Sequence, residues 1–382
     1  MAPSSPARDL NCGRGRVFGR IAFIAVADIT DAIAVIAAGF GSSGFGRCRY
    51  RYITAAISPY IQPPTERINK KNAGVCKIPP IDLSKLDGPQ HDEVANQIVR
   101  AAETLGFFQV INHGVPVELL ESLKQTAHNF FALPPERKAV YRKEVSPSPL
   151  VKYGTNFVPE KEKAFEWKDY ISMAYTNDDE ALQQDVALQY LKTSHEMVRK
   201  LLEALLGNLG VELDDSKIDA FIGKKMVSMN FYPTCPNPEL TVGVGRHSDM
   251  GTLTILLQDG IGGLYVKVPE DVDMEKKGAW VEIPPIPGAL VINVGDMLQI
   301  WSNGKYKSAE HRVRTTSTKS RVSIPIFTCP QSTQKIAPLP QVVKKDGIAR
   351  YKEFIFSDYM NSFFGNAHDG KNSLEFAKIN SA

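Results

Sequence analysis

The feature that most constrains this chain is a set of polar residues, some of them spaced two apart on strand-like runs, separated by a long intervening stretch. They are His247 and Asp249 within Arg246-His247-Ser248-Asp249-Met250, then His311, then Arg321 and Ser323 within Arg321-Val322-Ser323. Side chains two apart on an extended strand point to the same face. His247 and Asp249 therefore aim an imidazole and a carboxylate at one point. His311 follows a run of strand-like segments and turns, and it returns to that point if the chain folds back across a sheet. Two imidazoles and one carboxylate cover one face of an octahedral metal ion and leave its other positions open. Arg321 and Ser323 share one face of their own run, and Val322, Ile324 and Ile326 take the other. A guanidinium fork beside a hydroxyl is a good grip for a carboxylate. A carboxylate clamp about ten residues beyond the last candidate ligand suggests a chelating keto acid as co-substrate.

His-x-Asp alone is a weak signal. The downstream His, the Arg-x-Ser pair at that offset and the strand context make it strong, and open positions beside two His and one carboxylate are the layout of non-haem Fe(II) oxygenases. Zinc fits less well, because no Cys joins the set and hydrolysis needs no such clamp. The five Cys, at 12, 48, 76, 235 and 329, are odd in number and scattered without metal spacing. They read as reduced thiols of a cytoplasmic protein. His113 reads as a turn residue after a strand, and Trp167, Trp280 and Trp301 read as packing.

With 43% hydrophobic and 23% charged residues, the composition is that of an ordinary globular protein. A net charge of only +3 gives no reason to expect nucleic acid or a membrane surface as partner. The most apolar stretch, 21–38, is broken by Asp28, Thr30 and Asp31 and does not read as a membrane span. It belongs to an atypical extension, 1–58, that is Arg-rich and expected to carry no function.

Residues 59–80 are Pro-rich and read as a linker or wrapping arm. A short edge strand is expected over 78–83, because Pro79 and Pro80 cannot donate to a ladder. Apolar residues at helical spacing predict helices over 92–105, 117–133 and 186–209, and Gly106, Pro134 and Gly210 follow them as stops. The run 107–111 reads as a strand. The aromatic segments 153–157 and 166–173 read as strands beside a pocket. From 225 to 330 the pattern changes to short strands with Gly, Pro, Asn and Asp turns, the rhythm of a double-sheet jelly roll. Tyr351, Phe354, Ile355, Tyr359 and Phe363 predict a closing helix over 350–364. The expected organisation is an extension at 1–58, a helical and β region at 59–215, a jelly-roll core at 216–335 and a helical closure at 336–382.

At these residues the chain resembles the plant 2-oxoglutarate- and Fe(II)-dependent dioxygenases, over roughly residues 55–382. Met229-Asn230-Phe231-Tyr232-Pro233 is similar to that family's Asn-Tyr-Tyr-Pro motif, with Phe231 in place of the first Tyr. The likeness extends to Gly106-Phe107-Phe108-Gln109-Val110-Ile111-Asn112-His113-Gly114 and to Leu256-Leu257-Gln258-Asp259. Val242-Gly243-Val244-Gly245-Arg246-His247-Ser248-Asp249 and Lys307-Ser308-Ala309-Glu310-His311-Arg312-Val313 resemble the coumarin-forming branch. Leu86-Asp87-Gly88-Pro89-Gln90-His91 and Tyr153-Gly154-Thr155-Asn156-Phe157-Val158-Pro159 are closer to its members that hydroxylate a free coumarin. Relatives carry several more residues around Gln184 and Asp185.

The resemblance implies a mainly β fold, a double-stranded β-helix (jelly roll) with N-terminal helices as a cap and a C-terminal helix. It implies Fe(II) held by His247, Asp249 and His311, which form the catalytic centre. It also implies 2-oxoglutarate with its distal carboxylate on Arg321 and Ser323, Tyr232 adding a hydroxyl, and Asn230 bonding the other end. Dioxygen and an aromatic small molecule are the expected substrates, ascorbate the reductant, and a cytoplasmic monomer the expected state. Phe157, Phe327 and Phe363 are candidate substrate contacts. The leading expectation is 8-hydroxylation of scopoletin to fraxetin. The alternative is ortho-hydroxylation of feruloyl-CoA or p-coumaroyl-CoA, leading to scopoletin or umbelliferone. A CoA thioester needs a basic entrance for its phosphates, and a free coumarin needs a smaller, largely apolar pocket. A third reading is a jelly-roll binding protein without catalysis.

Overall fold

The structure, a computed structural model, describes residues 57–68, 73–155, 163–175, 185–271, 277–365 and 370–379. The chain divides into two compact units, Met1–Pro59 and Tyr60–Ala382, and the described sheets and helices below belong to the second. The expected extension up to residue 56, Phe157, Gln184 and His368 lie outside the described residues.

Eight strands form the major sheet. Across it they run Ile81–Asp82, Phe107–Ile111, Leu290–Val294, Leu253–Gln258, Arg321–Cys329, Lys224–Tyr232, Asp169–Tyr175 and Val151–Gly154. The first pair is parallel and the rest are antiparallel. The minor sheet runs Gly74–Val75, Trp280–Glu282, Leu264–Lys267, His311–Val313 and Val244–His247. Between 244 and 329 the chain passes repeatedly from one sheet to the other, as a jelly roll requires.

Strand alternation explains how the layers stack. On the Arg321 strand, Val322, Ile324 and Ile326 are buried on the face turned to the helices. There they join Ile255, Leu257, Ile292 and Val227 of neighbouring strands in the main apolar core. The helices His91–Thr104, Val117–Phe131 and Asp185–Asn208 supply Ile98, Leu120, Leu123, Leu201 and Leu205 to that core. On the opposite face, Phe107, Leu256 and Val291 of the major sheet meet Leu264, Val266 and Val281 of the minor sheet. Each fully buried Leu, Ile, Val or Phe contributes about 1.5–3 kcal/mol. The two apolar layers therefore fix the sheets on either side of the polar inner residues.

The helix His91–Thr104 ends as its Gly106 stop predicts. Gly106 has φ +70°, and a Cβ there would come 1.8 Å from the Lys307 carbonyl oxygen. Only glycine lets the helix end lie against the segment that leads to His311.

Three local expectations are corrected. The C-terminal helix is Phe356–Phe364, not 350–364, because Phe354–Ile355 pairs as a strand with Lys335–Ile336. Tyr351 and Phe354 have helical spacing but sit in extended backbone. The first edge strand is only Ile81–Asp82, since Leu83–Lys85 turns into a 3-10 helix capped by the Asp82 carboxylate. The Pro-rich arm contributes Gly74–Val75 as a strand parallel to Trp280–Glu282. His113 keeps its turn role, with Nε2 donating to the Gly288 carbonyl at 3.0 Å and Nδ1 accepting from the Val115 N–H at 3.2 Å.

Candidate metal centre and carboxylate clamp

His247 and His311 face each other as cross-strand partners at the edge of the minor sheet. Their rings lie 4.2 Å apart, tilted by 48°. Each Nδ1 is 2.9 or 3.2 Å from the carbonyl two residues earlier, Gly245 for His247 and Ala309 for His311. A carbonyl only accepts, so each Nδ1 carries the proton and each Nε2 presents a lone pair. Both Nε2 atoms aim at one carboxylate oxygen, Asp249 Oδ1, at 3.6 and 3.7 Å.

Asp249 lies just past the end of the strand Val244–His247 and is 5% exposed. Its second oxygen is fully used: Oδ2 accepts from Thr254 Oγ1 at 2.6 Å and from Asn293 Nδ2 at 2.8 Å. Those two partners stand opposite each other on adjacent strands of the major sheet. Burial alone would push the Asp249 carboxyl up. When the imidazoles of His311 and His247 are protonated, their charge together with the bonds from Thr254 and Asn293 outweighs it and holds the group below the usual carboxylate range. Among the described residues, His247, Asp249 and His311 are the one set of three metal-ligating groups whose donor atoms lie within 4.8 Å of one another. Two neutral imidazole lone pairs and one carboxylate oxygen suit a divalent transition ion with open positions. Hydrogen bonds fixing the far side of each group are what a ligand needs to hold its orientation.

Behind the triad lies a second buried carboxylate. Asp296 accepts from Ser248 Oγ at 3.2 Å and from the Tyr359 hydroxyl at 2.7 Å, and its N–H donates to the Asp249 carbonyl at 2.7 Å. The helix Phe356–Phe364 thereby braces the segment between His247 and Asp249.

Arg321 and Ser323 stand on the inner face of the major sheet, where Arg321 pairs with Tyr232 and Ser323 with Asn230. Arg321 is 2% exposed. Its Nη2 donates to Gln258 Oε1 at 2.9 Å and its Nε to the Ile261 carbonyl at 3.1 Å. Its Nη1 has no hydrogen-bond partner, and neither has Gln258 Nε2. No carboxylate ion-pairs with Arg321 among the described residues. A buried cation with open donors is costly unless an anion completes it. The Tyr232 ring centroid lies 5.2 Å from the guanidinium, and its hydroxyl accepts from Ser323 Oγ at 3.5 Å. Guanidinium, amide and two hydroxyls thus converge, a set of groups that could bind a carboxylate.

Of the candidate substrate contacts, Phe327 pairs with Thr254 and so shares the inner face with the residue that holds Asp249. Phe363 lies on the C-terminal helix, packed against the main apolar core with its ring edge-on to Phe364. The sequence reading missed Thr254, Asn293 and Gln258. Each stands on the inward face of its strand, and an inward polar residue on an otherwise apolar strand is the signal that could have found them. Trp167, Trp280 and Trp301 do pack, against Tyr60, Arg312 and Phe221 respectively.

Comparison with known proteins agrees with this geometry. The model of the 2OG-Fe(II) oxygenase superfamily matches residues 223–330, and that of the non-haem dioxygenase in morphine synthesis N-terminal region matches residues 78–193. The chain is 66% identical over 333 residues to scopoletin 8-hydroxylase of Arabidopsis thaliana, covering 85% of this chain and 91% of that one. It is 46% identical over 362 residues to feruloyl CoA ortho-hydroxylase 1 of the same plant, covering 92% and 96%. Among solved structures, JOX2 in complex with 2OG, Fe, and JA superposes with a TM-score of 0.75 at 29% identity, covering 91% of this chain and 97% of that one. The rice dioxygenase for auxin oxidation superposes at 0.65 with 25% identity, covering 79% and 100%. Relatives this similar, matched over nearly their whole length, place the chain in the 2OG-Fe(II) oxygenase superfamily, among the Fe(II)- and 2-oxoglutarate-dependent dioxygenases.

Proposed function

We propose that this protein hydroxylates scopoletin at C8 to give fraxetin. The observation that carries the substrate is the 66% identity, over 91% of its length, to a scopoletin 8-hydroxylase. His247, Asp249 and His311 hold Fe(II) through Nε2, Oδ1 and Nε2. Arg321 and Ser323 bind the distal carboxylate of 2-oxoglutarate, Tyr232 adds its hydroxyl, and Asn230 bonds the other end. When bound, Fe(II) with 2-oxoglutarate supplies the activation of dioxygen that releases succinate and carbon dioxide and leaves one oxygen atom for an aromatic carbon. The chain's own part is to orient and to keep dry. Asn293 and Thr254 fix Asp249, Gln258 fixes Arg321, and the apolar inner face around Leu256 and Val291 excludes water from the reacting ring. Phe327 is assigned to contact the ring, and Phe157 and Phe363 are the other residues assigned to it. Ascorbate keeps the metal reduced, and the protein acts as a cytoplasmic monomer.

The second reading, ortho-hydroxylation of feruloyl-CoA or p-coumaroyl-CoA, is favoured by relatives such as the 48% identical feruloyl CoA ortho-hydroxylase of Ipomoea batatas. One assay separates the readings: scopoletin, feruloyl-CoA and p-coumaroyl-CoA each supplied with Fe(II), ascorbate and 2-oxoglutarate. Fraxetin formed one-for-one with succinate is the expected result. Turnover of a CoA ester alone overturns it, and no succinate from any substrate returns the chain to a binding role.

A further inference from the structure

The strand that carries His247 has little backbone support. Val244–His247 has four residues, lies at the edge of the minor sheet, and among the described residues pairs with one strand, His311–Val313, through an irregular register, its other side holding a single bridge from His247 to Gly370. Gly243 precedes it and Gly245 lies within it. Glycine gives a strand no side chain to pack and more conformational freedom to lose. Yet Gly245 sets the direction of His247, because its carbonyl accepts the Nδ1 proton.

The N–H of the same glycine is held from across the molecule. It donates to Glu166 Oε1 at 2.8 Å. Glu166 is 2% exposed, and its other oxygen lies 3.0 Å from Lys168 Nζ. Lys168 is buried too, with its ammonium 5.7 Å from the Tyr170 ring centroid. Burial would lower the Lys168 pKa, but Glu166, Tyr232 and Tyr170 together hold it above the ordinary lysine value, so the ion pair stays charged. Both residues lead into the strand Asp169–Tyr175, which bonds to the strand of Tyr232 and Asn230. The carboxylate is therefore fixed to the major sheet and reaches over to the edge of the minor one.

We propose that Glu166, held by Lys168, is a positioning residue for the metal ligand His247: it fixes Gly245, whose carbonyl orients the imidazole. His311 needs no such brace, because its strand is bonded on both sides, to Leu264–Lys267 and to Val244–His247. Stability alone is a poor reason for this pair, since a buried ion pair gains little over apolar residues of the same volume. The inference rests on His247 being a ligand.

Two double variants separate the hydrogen bond from the charge. Glu166→Gln with Lys168→Met keeps an acceptor for Gly245 and removes both charges. Glu166→Leu with Lys168→Met removes the acceptor as well. The readout is the Co(II) dissociation constant of the full chain, measured by calorimetry without 2-oxoglutarate, with circular dichroism as the check on folding. The Gln/Met variant should bind within about 3-fold of wild type, and the Leu/Met variant on the order of 10-fold more weakly, the usual effect of losing a partner behind a ligand. Equal affinity in the two variants, whether preserved or lost, overturns the proposal. If the Leu/Met variant does not fold, Glu166→Asp takes its place. It keeps the charge for Lys168 and draws back from Gly245, so it should weaken Co(II) several-fold, and wild-type affinity there overturns the proposal equally. Wild-type protein that takes up no Co(II), or His247→Ala binding it as tightly as wild type, refutes the ligand assignment instead.

Discussion

The Arg321 guanidinium stands on a nine-residue strand bonded along both edges, to Leu253–Gln258 and to Lys224–Tyr232. The His247 imidazole stands on a four-residue strand bonded along one edge by a strand and on the other by a single bridge to Gly370. The carboxylate clamp thus takes its geometry from backbone ladders, and the metal end takes much of its geometry from side chains. Glu66 and Glu310 hold the Arg246 guanidinium at 2.9 and 3.2 Å, Glu166 holds the Gly245 N–H, and Thr254 and Asn293 hold Asp249. Substitutions at the clamp should therefore change ligand binding and little else. Substitutions around the triad should change the geometry of neighbouring ligands.

The largest effect should come from the triad. His247→Ala is expected to abolish hydroxylation and weaken metal binding while the circular dichroism spectrum stays that of wild type. Iron-dependent turnover in that variant would remove His247 from the ligand set. Arg321→Met should raise the KM for 2-oxoglutarate by about 10- to 150-fold, the equivalent of a hydrogen bond to a charged group at about 1.5–3 kcal/mol. The same variant should melt no lower than wild type in the absence of co-substrate, because it removes a buried cation that lacks an anionic partner. A steep fall in Tm would show instead that the bonds to Gln258 and Ile261 make Arg321 a prop for the sheet.

Thr254→Val leaves Asp249 Oδ2 with one donor. Metal affinity should drop by about 10-fold with the KM for 2-oxoglutarate unchanged. If both constants move together, the two ends of the site are not separable. The smallest effect is expected at Phe327. Replacement by Leu should raise the KM for scopoletin by about 2- to 10-fold, the range of one aromatic contact, with 2-oxoglutarate unaffected. No change in that constant would take Phe327 out of the substrate pocket.

The same contrast explains what could be read from the sequence. Arg321 and Ser323 were legible because a period of two is a local property of a strand, whereas His247 and Asp249 share that spacing but come together with Asp249 just past the end of its strand. The buried Val322, Ile324 and Ile326 followed from the same alternation. Glu166 and Asn293 were not legible as site residues, because their roles depend on which strands become neighbours. Asn293 acts on a carboxylate 44 positions away, and Glu166 on an amide 79 positions away. The helix expected over 350–364 starts only at Phe356 for a related reason. Spacing cannot tell a helix from an extended pair when a distant partner, here Lys335–Ile336, is available to bond.

The C-terminal segment meets the metal strand on its remaining side, where the Gly370 N–H donates to the Arg246 carbonyl at 2.9 Å. Deleting residues from 370 onward would strip that side bare. A short, glycine-containing strand with an open row of peptide groups invites pairing with a second molecule, so such a truncation would be prone to aggregate as well as to lose iron. Affinity tags are better fused at the opposite end of the polypeptide.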